Sequence, residues 1–265
     1  DYLKKFVVED MPLPRAHPDE LNEQTTFQKL DRIWAHNQPG EFHTEAMTDF
    51  DRRQVYAAYM AMITLIDDQV GRILEVLKET GQAENTLVVF MSDHGEMLGD
   101  HGIYFKGPHF YDGQMNVPLI IRWPQGDVRG NRRVDGFVEL IDLMPTFLDA
   151  AGIPIPSAVQ GKSLLPLLRG GDEIEHCREE VYAEYYNAWT HSDAYGTMLR
   201  TKDWKIVVYH GTNQGEFYDL KKDPDEFFNL WNHSDFQQQK QEYILKCFDA
   251  SVLSMDPDPP RLGPF

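Results

Sequence analysis

The residues best suited to chemistry in this chain are a neighbouring aspartate and histidine, Asp93 and His94, which closely follow an apolar run. The carboxylate offers hard oxygen ligands and the imidazole offers a nitrogen, a pair that suits a divalent ion in a mixed site. Two ligands do not complete a metal site, so others must come from elsewhere. The alternative is a turn in which Asp93 caps the segment that begins at Gly95 and His94 is solvated.

The apolar run that precedes this pair extends from Leu87 to Met91. It is rich in β-forming residues and lacks polar alternation, which is typical of a strand buried on both faces of a parallel sheet. A second apolar strand is expected at about Val117. In open α/β sheets the ligand site lies beyond the carboxyl ends of the strands, so the position and the chemistry of Asp93 and His94 agree.

A long helix is predicted before the first strand. Apolar residues recur at spacings of three and four from Val55 to Leu77, so one stripe is expected to face a core. Thr48 or Asp49 can cap its start, and Gly81 stands where a helix-terminating glycine is expected. Helix and strand together form half of a βαβ crossover.

The segment before that helix, residues 1 to 47, contains four prolines and little periodicity, which indicates a surface segment with one short helix around Thr26 to Trp34. His17, His36 and His43 are expected to be solvated there. The chain opens on charged residues with no apolar core of a signal peptide. Because it does not begin with methionine, we expect its native N terminus to lie upstream. We also expect a soluble protein of unknown compartment.

Composition limits the classes of partner. The 265 residues include 25 Lys plus Arg against 43 Asp plus Glu, a net charge of −18, so nucleic acid is not expected as a partner. An anionic substrate would need local attraction by a metal and a lysine. No run approaches the ~20 apolar residues of a membrane span. Cys177 and Cys247 are too few for a disulfide scaffold, although a single bridge is left open.

The second half of the sequence changes character. Val134 to Val138 is predicted as a strand and Asp142 to Ala151 as a short helix, and a Pro- and Gly-rich connector, Pro154 to Asp172, follows. Strand-like runs separated by turn residues then predict an antiparallel sheet of about four strands covered by a helix. The strands are Glu180 to Tyr186, Tyr195 to Arg200, Trp204 to Tyr209 and Glu216 to Leu220, and the helix spans about Asp235 to Leu253.

The string SDHGEMLGDHG, followed by KGPHFYD and then VPLIIRWP, closely resembles the sulfatase family, which shares its fold and metal site with the alkaline phosphatase superfamily. The resemblance implies that Asp93 and His94 bind one divalent ion, with calcium expected and magnesium or manganese as alternatives. It also implies that Lys106 contacts the sulfate or its leaving oxygen. One departure is Asn116 before Val-Pro, where the family usually has arginine, and this loosens a supporting salt bridge without removing a ligand.

Two further histidines stand near Lys106 in the sequence. His109 is predicted to touch the substrate, and its alternative role is packing beneath the loop. Asp100 and His101 repeat the ligand pair, but the resemblance assigns them to a supporting layer.

The resemblance also implies the fold and its division. It predicts an α/β fold with a mostly parallel sheet flanked by helices, alkaline phosphatase-like but incomplete, and a smaller C-terminal antiparallel sheet plus helix. Residues 1–153 would form the C-terminal part of the large metal-binding domain, and residues 154–265 the connector and C-terminal subdomain. LRTKDWKIVVY and EFYDLKKDPDEFFNL are similar to that subdomain.

Two parts of the family's active site are not encoded here. Its nucleophile is a formylglycine made from the cysteine of Cys-x-Pro-Ser-Arg, a motif that this sequence lacks, and its other metal carboxylates lie near the N terminus. The expected function is hydrolysis of a small sulfated sugar or aryl ester by a metal-dependent sulfatase. This chain is expected to be inactive alone and to pair with the N-terminal portion of the same enzyme, which carries the formylglycine. Assembly into a homo-oligomer is left open.

Three alternatives remain. A phosphonate or phosphate monoester hydrolase of the same superfamily would use the same metal site and lysine. A noncatalytic sulfatase-like binding module would keep the fold without the chemistry. A serine hydrolase that uses Ser92 is disfavoured, because no Gly-x-Ser-x-Gly motif surrounds this residue.

Overall fold

The computed structural model describes residues 2–34, 44–186 and 193–255; His36 and His43, which were expected to be solvated, lie outside these ranges. The described residues contain a mainly helical part followed by four consecutive strands and a final helix. The helices are α1 (Glu20–Glu23), α2 (Thr26–Trp34), α3 (Asp49–Glu79), α4 (Asp112–Met115), α5 (Leu143–Ala150), α6 (Leu165–Leu168), α7 (Glu173–His176) and α8 (Gln237–Leu253). The strands are β1 (Val88–Met91), β2 (Leu119–Arg122), β3 (Glu180–Tyr186), β4 (Tyr195–Thr201), β5 (Trp204–Tyr209) and β6 (Gln214–Asp219).

The long helix α3 begins and ends as its sequence predicts. Thr48 accepts a hydrogen bond from the Asp51 amide at 3.2 Å, and the Asp51 carboxylate accepts one from the Thr48 amide at 2.8 Å. These reciprocal bonds form a capping box that satisfies two amides at the helix start. Gly81 follows the C terminus with φ +70°, the left-handed conformation that glycine adopts without steric cost.

The apolar stripe of α3 does not face a core among the described residues, so that part of the prediction is wrong. The helix packs against two short 3₁₀ turns, Tyr2–Lys5 and Val8–Asp10. Its buried residues are alanines, whereas large apolar side chains such as Ile66 and Ile73 are exposed. Periodicity encodes an apolar face, but it does not supply the partner that covers it.

The strands β1 and β2 pair antiparallel, from Val88 opposite Arg122 to Met91 opposite Leu119. The expected parallel pairing is therefore not found in the described parts of the chain. An apolar run specifies a strand without specifying the direction of its neighbour, and residues 92–118 contain no helix long enough for a crossover. Nor is this pair buried on both faces, since Phe90 is 39% and Ile120 is 62% exposed.

The C-terminal sheet is confirmed as antiparallel, with the order β3-β4-β5-β6. Helix α8 covers it, and Cys247 packs against Leu199, Ile206 and Phe217. Cys177 and Cys247 are not joined in a disulfide. The α/β class with a smaller C-terminal sheet is thus confirmed.

The predicted strand at Val134 to Val138 is reduced to one bridge between Phe137 and Arg178. Asp135 and Gly136, which interrupt its β-forming residues, disfavour an extended ladder. The helix predicted nearby is present as α5. No described helix has the length and apolarity needed to cross a membrane.

The loop between β1 and β2 packs on the C-terminal sheet. Phe110 shares a buried cluster with Met198 and Val207, and Tyr111 shares another with Tyr218. Residues on both sides of the predicted boundary at 153/154 therefore build common cores, while the division itself remains a prediction. The loop that carries the predicted site residues is consequently supported from below by the sheet.

Candidate active site

Three of the predicted site residues come together at the end of β1. The Nζ atom of Lys106 lies 2.8 Å from Nε2 of His94, and this Nε2 atom lies 3.8 Å from Oδ2 of Asp93. The Asp93 side chain is 83% exposed, and His94 is about half as exposed. The cluster therefore combines a carboxylate, an imidazole and an ammonium group on an accessible surface.

The hydrogen bonds of His94 identify which of its nitrogens is available. Nδ1 lies 2.8 Å from the carbonyl oxygen of Gly95, which can only accept, so Nδ1 carries the proton. Nε2 then has a free lone pair, to which the Lys106 ammonium donates. This is the arrangement that metal-binding histidines use, with one nitrogen fixed by a backbone carbonyl and the other directed at the ion.

Ser92 serves the backbone rather than chemistry. Its hydroxyl donates to the carbonyl oxygen of His94 at 2.7 Å, and His94 receives a second constraint because its amide donates to Asp93 Oδ1 at 3.1 Å. These local bonds compete with strand geometry and favour a tight turn after β1. The engagement of this hydroxyl is a further argument against Ser92 as a nucleophile.

Glu96, which no sequence motif identified, stabilises the loop between His94 and Lys106. Oε1 of Glu96 accepts hydrogen bonds from the amides of Leu98 at 3.2 Å and Phe105 at 2.6 Å. Both of these residues have positive φ, 50° and 66°, which is an uncommon conformation for residues other than glycine. Glu96 thus holds a compact turn that returns the chain to Lys106.

The short helix α4 touches both sides of the cluster. The carbonyl oxygen of Gln114 accepts from the Gly95 amide at 2.7 Å. The Gln114 side chain makes two more bonds: Nε2 donates to the Gly107 carbonyl at 3.0 Å, and Oε1 accepts from the Gly107 amide at 3.2 Å. Gly95 follows His94 and Gly107 follows Lys106, so α4 contacts the immediate neighbours of both residues.

Helix α4 is itself fixed to the C-terminal sheet by buried charges. Asp112 accepts from Lys205 Nζ at 2.7 Å and from Arg200 at 2.9 Å, and its amide donates to Glu226 at 2.7 Å. Lys205 also donates to Glu226, and its side chain is fully buried. Burial alone would raise the pKa of Asp112, but Lys205 and Arg200 lower it below its ordinary value. Burial raises the pKa of Glu226 against the attraction of Lys205.

His109 is buried and only 1% exposed, with Nε2 at 3.3 Å from Oδ2 of Asp31 in α2. This position favours packing beneath the loop, the second role that the sequence left open, while substrate contact stays a prediction. His101 is buried as well: it stacks on Tyr111 at 3.7 Å and pairs with Glu20 of α1 at 3.1 Å. Both histidines therefore secure the loop from below.

The arrangement of an exposed ligand pair beside a lysine can be compared with known proteins. A family model described as Sulfatase matches residues 7–153, more than half of the chain. This chain belongs to the sulfatase family. A second model, described as N-sulphoglucosamine sulphohydrolase, C-terminal, matches residues 99–249 of this sulfatase chain.

Relatives of this sulfatase chain include N-acetylglucosamine-6-O-sulfatase from Bacteroides thetaiotaomicron, which is 30% identical over 245 residues, 91% of this chain and 43% of that protein. Phosphonate monoester hydrolase from Silicibacter pomeroyi has a similar structure, with a TM-score of 0.84 and 27% identity over 97% of this chain and 53% of that one. A protein solved in complex with its substrate, D-glucosamine-2-N,6-O-disulfate, gives a TM-score of 0.67 and is 30% identical, with 81% of this chain and 44% of that one covered. The sulfatase chain spans about half the length of these relatives.

Membership of the sulfatase family implies a metal ion and a formylglycine in general. The residues at the end of β1 fit the ion in their chemistry, because Nε2 of His94 is unprotonated and reaches the surface beside Lys106, and the Asp93 carboxylate is exposed. The described residues of this sulfatase chain contain no group of three or more His, Cys, Asp or Glu side chains that could hold a metal. The chain therefore offers part of a ligand set.

The supporting residues of the site left only weak signals in the sequence. Lys205 is a charged residue within the otherwise apolar WKIVVY strand, which marks it as a candidate for a buried ion pair. Glu96 and Gln114 are polar residues in a loop, where polar residues are ordinary, and nothing distinguishes them before the contacts are known.

Proposed function

We propose that this chain is the C-terminal part of a metal-dependent sulfuric ester hydrolase in which Asp93 and His94 hold a divalent ion and Lys106 binds the sulfate ester. The observation that carries the proposal is the 2.8 Å contact between Lys106 Nζ and His94 Nε2. It brings a mobile cation to the lone pair through which His94 would bind the ion. Calcium is the ion proposed, because the carboxylate is a hard oxygen ligand.

The chemistry requires attack on a crowded anionic centre, with neutralisation of the nonbridging oxygens and of the leaving oxygen. A divalent ion, when bound, supplies a Lewis acid for those oxygens, and the formylglycine proposed upstream supplies the nucleophile. The single lone pair of His94 Nε2 cannot serve an ion and Lys106 at once. Lys106 is therefore free to turn toward the ester when His94 binds metal, and its charge opposes the long-range repulsion of a chain with net charge −18.

The proposed substrate is a small sulfated sugar. Two matches support this class: the family model named for N-sulphoglucosamine sulphohydrolase, and the relative solved with a disulfated glucosamine. An aryl sulfate remains the simplest assay substrate. Assaying sulfated glucosamines against an aryl sulfate at equal concentrations would test the choice, and a higher kcat/KM for the aryl ester would contradict it.

A phosphonate or phosphate monoester hydrolase is the second candidate, favoured by the TM-score of 0.84 with the phosphonate monoester hydrolase. The same ion and lysine would serve that reaction, because both substrates present an anionic tetrahedral centre. The complete enzyme should be assayed with sulfate, phosphonate and phosphate esters of one leaving group. Preference for the sulfate supports the proposal, preference for a phosphorus ester selects the second candidate, and no turnover of any ester indicates a noncatalytic module.

Replacing Lys106 by alanine is expected to lower kcat/KM of the complete enzyme by at least about tenfold, or ~1.4 kcal/mol of transition-state stabilisation. Tm should change little, because Lys106 is exposed and its ammonium group hydrogen-bonds to His94 Nε2 at the surface. Lys202→Ala in an exposed turn provides the matched control. Unchanged kinetics, or a variant that unfolds, would contradict the role of Lys106.

The N-terminal portion of the same enzyme is the proposed partner of this chain. The exposed apolar side chains of α3 and β2, including Ile66, Ile73 and Ile120, form a surface that water disfavours. We expect the 265-residue chain alone to aggregate, and to show no turnover of an aryl sulfate with added calcium or manganese. Size-exclusion chromatography and the assay would check this, and a soluble dimer would point instead to a homo-oligomer. Turnover that disappears in Asp93→Ala would overturn the proposal.

A further inference from the structure

We propose that Gln114 is a positioning residue that sets the separation between His94 and Lys106. Its catalytic consequence rests on the proposed function, but its structural basis does not. Gln114 is buried, with 9% exposure; its backbone carbonyl accepts a hydrogen bond from the Gly95 amide, and its side chain makes two hydrogen bonds with Gly107. One residue thus holds the backbone beside the ligand and the backbone beside the lysine.

The chemistry of the side chain matches this task. A primary amide has a donor and an acceptor side by side, so it can pair with the N–H and C=O of one residue. Gln114 pairs in this way with Gly107, at 3.2 Å and 3.0 Å. A carboxylate would offer acceptors only, a methionine would offer neither group, and asparagine is one methylene shorter.

Both glycines are needed for the close approach. A Cβ atom on Gly95 would lie 2.0 Å from the carbonyl oxygen of Gly113, and one on Gly107 would lie 2.0 Å from Oδ2 of Asp31. A side chain at Gly95 would require a backbone shift, and one at Gly107 would displace the side chain of Asp31. The two loop segments consequently meet α4 through their backbones, and the contacts with Gln114 are the ones that join them.

The position of Gln114 is in turn defined by the sheet. Asp112, two residues earlier in α4, is bound by Lys205 from β5 and by Arg200 from β4. The sheet therefore holds the four-residue helix α4 in place, and α4 in turn holds the two turns that carry His94 and Lys106. Without the Gln114 amide, Gly107 loses two bonds and the exposed Lys106 turn is released, whereas Gly95 keeps its bond to the backbone.

The first test compares Gln114→Met with wild type in the complete enzyme. We expect kcat to fall at least about tenfold while KM changes less than about threefold, since the lysine is misplaced in the transition state rather than removed. Gln238→Met on the exposed part of α8 is the control for introducing methionine. A kcat within twofold of wild type would overturn the proposal, even if Tm fell.

The second test uses Gln114→Glu. A protonated carboxyl group has the donor and acceptor of an amide, whereas the carboxylate has lost the donor. The ratio of the kcat of this variant to that of wild type should rise toward one as pH falls, while the ratio for Gln114→Met stays flat. Asp31 and His109, which face Gly107, are common to all three proteins and cancel in these ratios. A kcat of Gln114→Glu that equals wild type at every pH would show that the donor of the amide has no positioning role.

A third readout does not depend on turnover. In metal-free wild type, nitrogen NMR of the His94 ring should show a proton on Nδ1 and a hydrogen-bonded Nε2. Gln114→Met should remove the signature of the Lys106 bond at Nε2 and speed amide exchange at Gly107, while exchange at Gly95 changes less. If wild type hydrolyses no sulfate ester, the proposed function fails, and these spectra still decide the position of Gln114. Spectra of Gln114→Met that match those of wild type would overturn the proposal that Gln114 positions these turns.

Discussion

Replacing Asp93 by alanine is expected to abolish both the metal content and the turnover of the complete enzyme. Asp93 and His94 are the only ligands that we assign to the described part of this chain, and a divalent ion that loses a carboxylate loses both charge and a coordination position. The Asp93 side chain is 83% exposed, and its closest partner is the amide of the next residue, at 3.1 Å. Folding should therefore be nearly unaffected, with Tm within a few degrees of wild type.

Elemental analysis of the purified variant, together with an ester hydrolysis assay, would check this expectation. Asp67→Ala is a suitable control, because it removes an exposed carboxylate from α3 at the same cost in net charge. Full metal occupancy in Asp93→Ala would contradict the assignment of the ligand. Loss of metal together with a large fall in Tm would instead show that the site has a structural role.

The second large effect is expected in the buried charge cluster. Replacing Lys205 by methionine should lower the free energy of unfolding by about 3–5 kcal/mol, because Glu226 and Asp112 would be left facing each other without the ammonium group between them. Methionine retains most of the side-chain volume, so the loss reports charge more than packing. Adding Glu226→Gln should recover part of the loss, since Asp112 retains Arg200.

Urea unfolding of the three proteins would measure these differences. The exposed pair of Lys221 with Asp203, at 2.7 Å, provides a matched comparison, and Lys221→Met should cost less than about 1 kcal/mol. A loss below 1 kcal/mol in Lys205→Met would mean that water or another cation compensates the two carboxylates. No gain from the second substitution would assign the loss to packing.

The proximity of Asp93, His94 and Lys106 could be predicted because it depends on short-range order. Asp93 and His94 follow directly after a strand, and Lys106 returns to them through a turn of a dozen residues, so motif and geometry carry the same information. Gln114 and Lys205 could not be predicted in this way. The contact between Lys205 and Asp112 spans 93 positions, and neither residue has a local pattern that identifies the other.

The pairing direction of β1 and the burial of α3 could not be predicted from the sequence, for a different reason. The apolar residues of β1 and α3 establish that each element has an apolar face, but the identity of the covering element depends on the rest of the fold. For β1 the neighbour is the antiparallel β2. For His109 the sequence offered a substrate contact or a packing role, and its burial beside Asp31 from a distant helix favours the packing role.

The attachment of α4 to β5 has a consequence for the order of folding. Each strand of the C-terminal sheet pairs with its neighbour in sequence, so this sheet closes short chain loops and can form early. The bond from Lys205 to Asp112 closes a far longer loop and gains its strength only when Lys205 is buried. The turns that carry His94 and Lys106 therefore reach their final geometry late, after the sheet exists to receive them. We therefore expect the proposed enzyme to acquire its activity at the end of folding, and damage to the sheet to remove that activity before other properties.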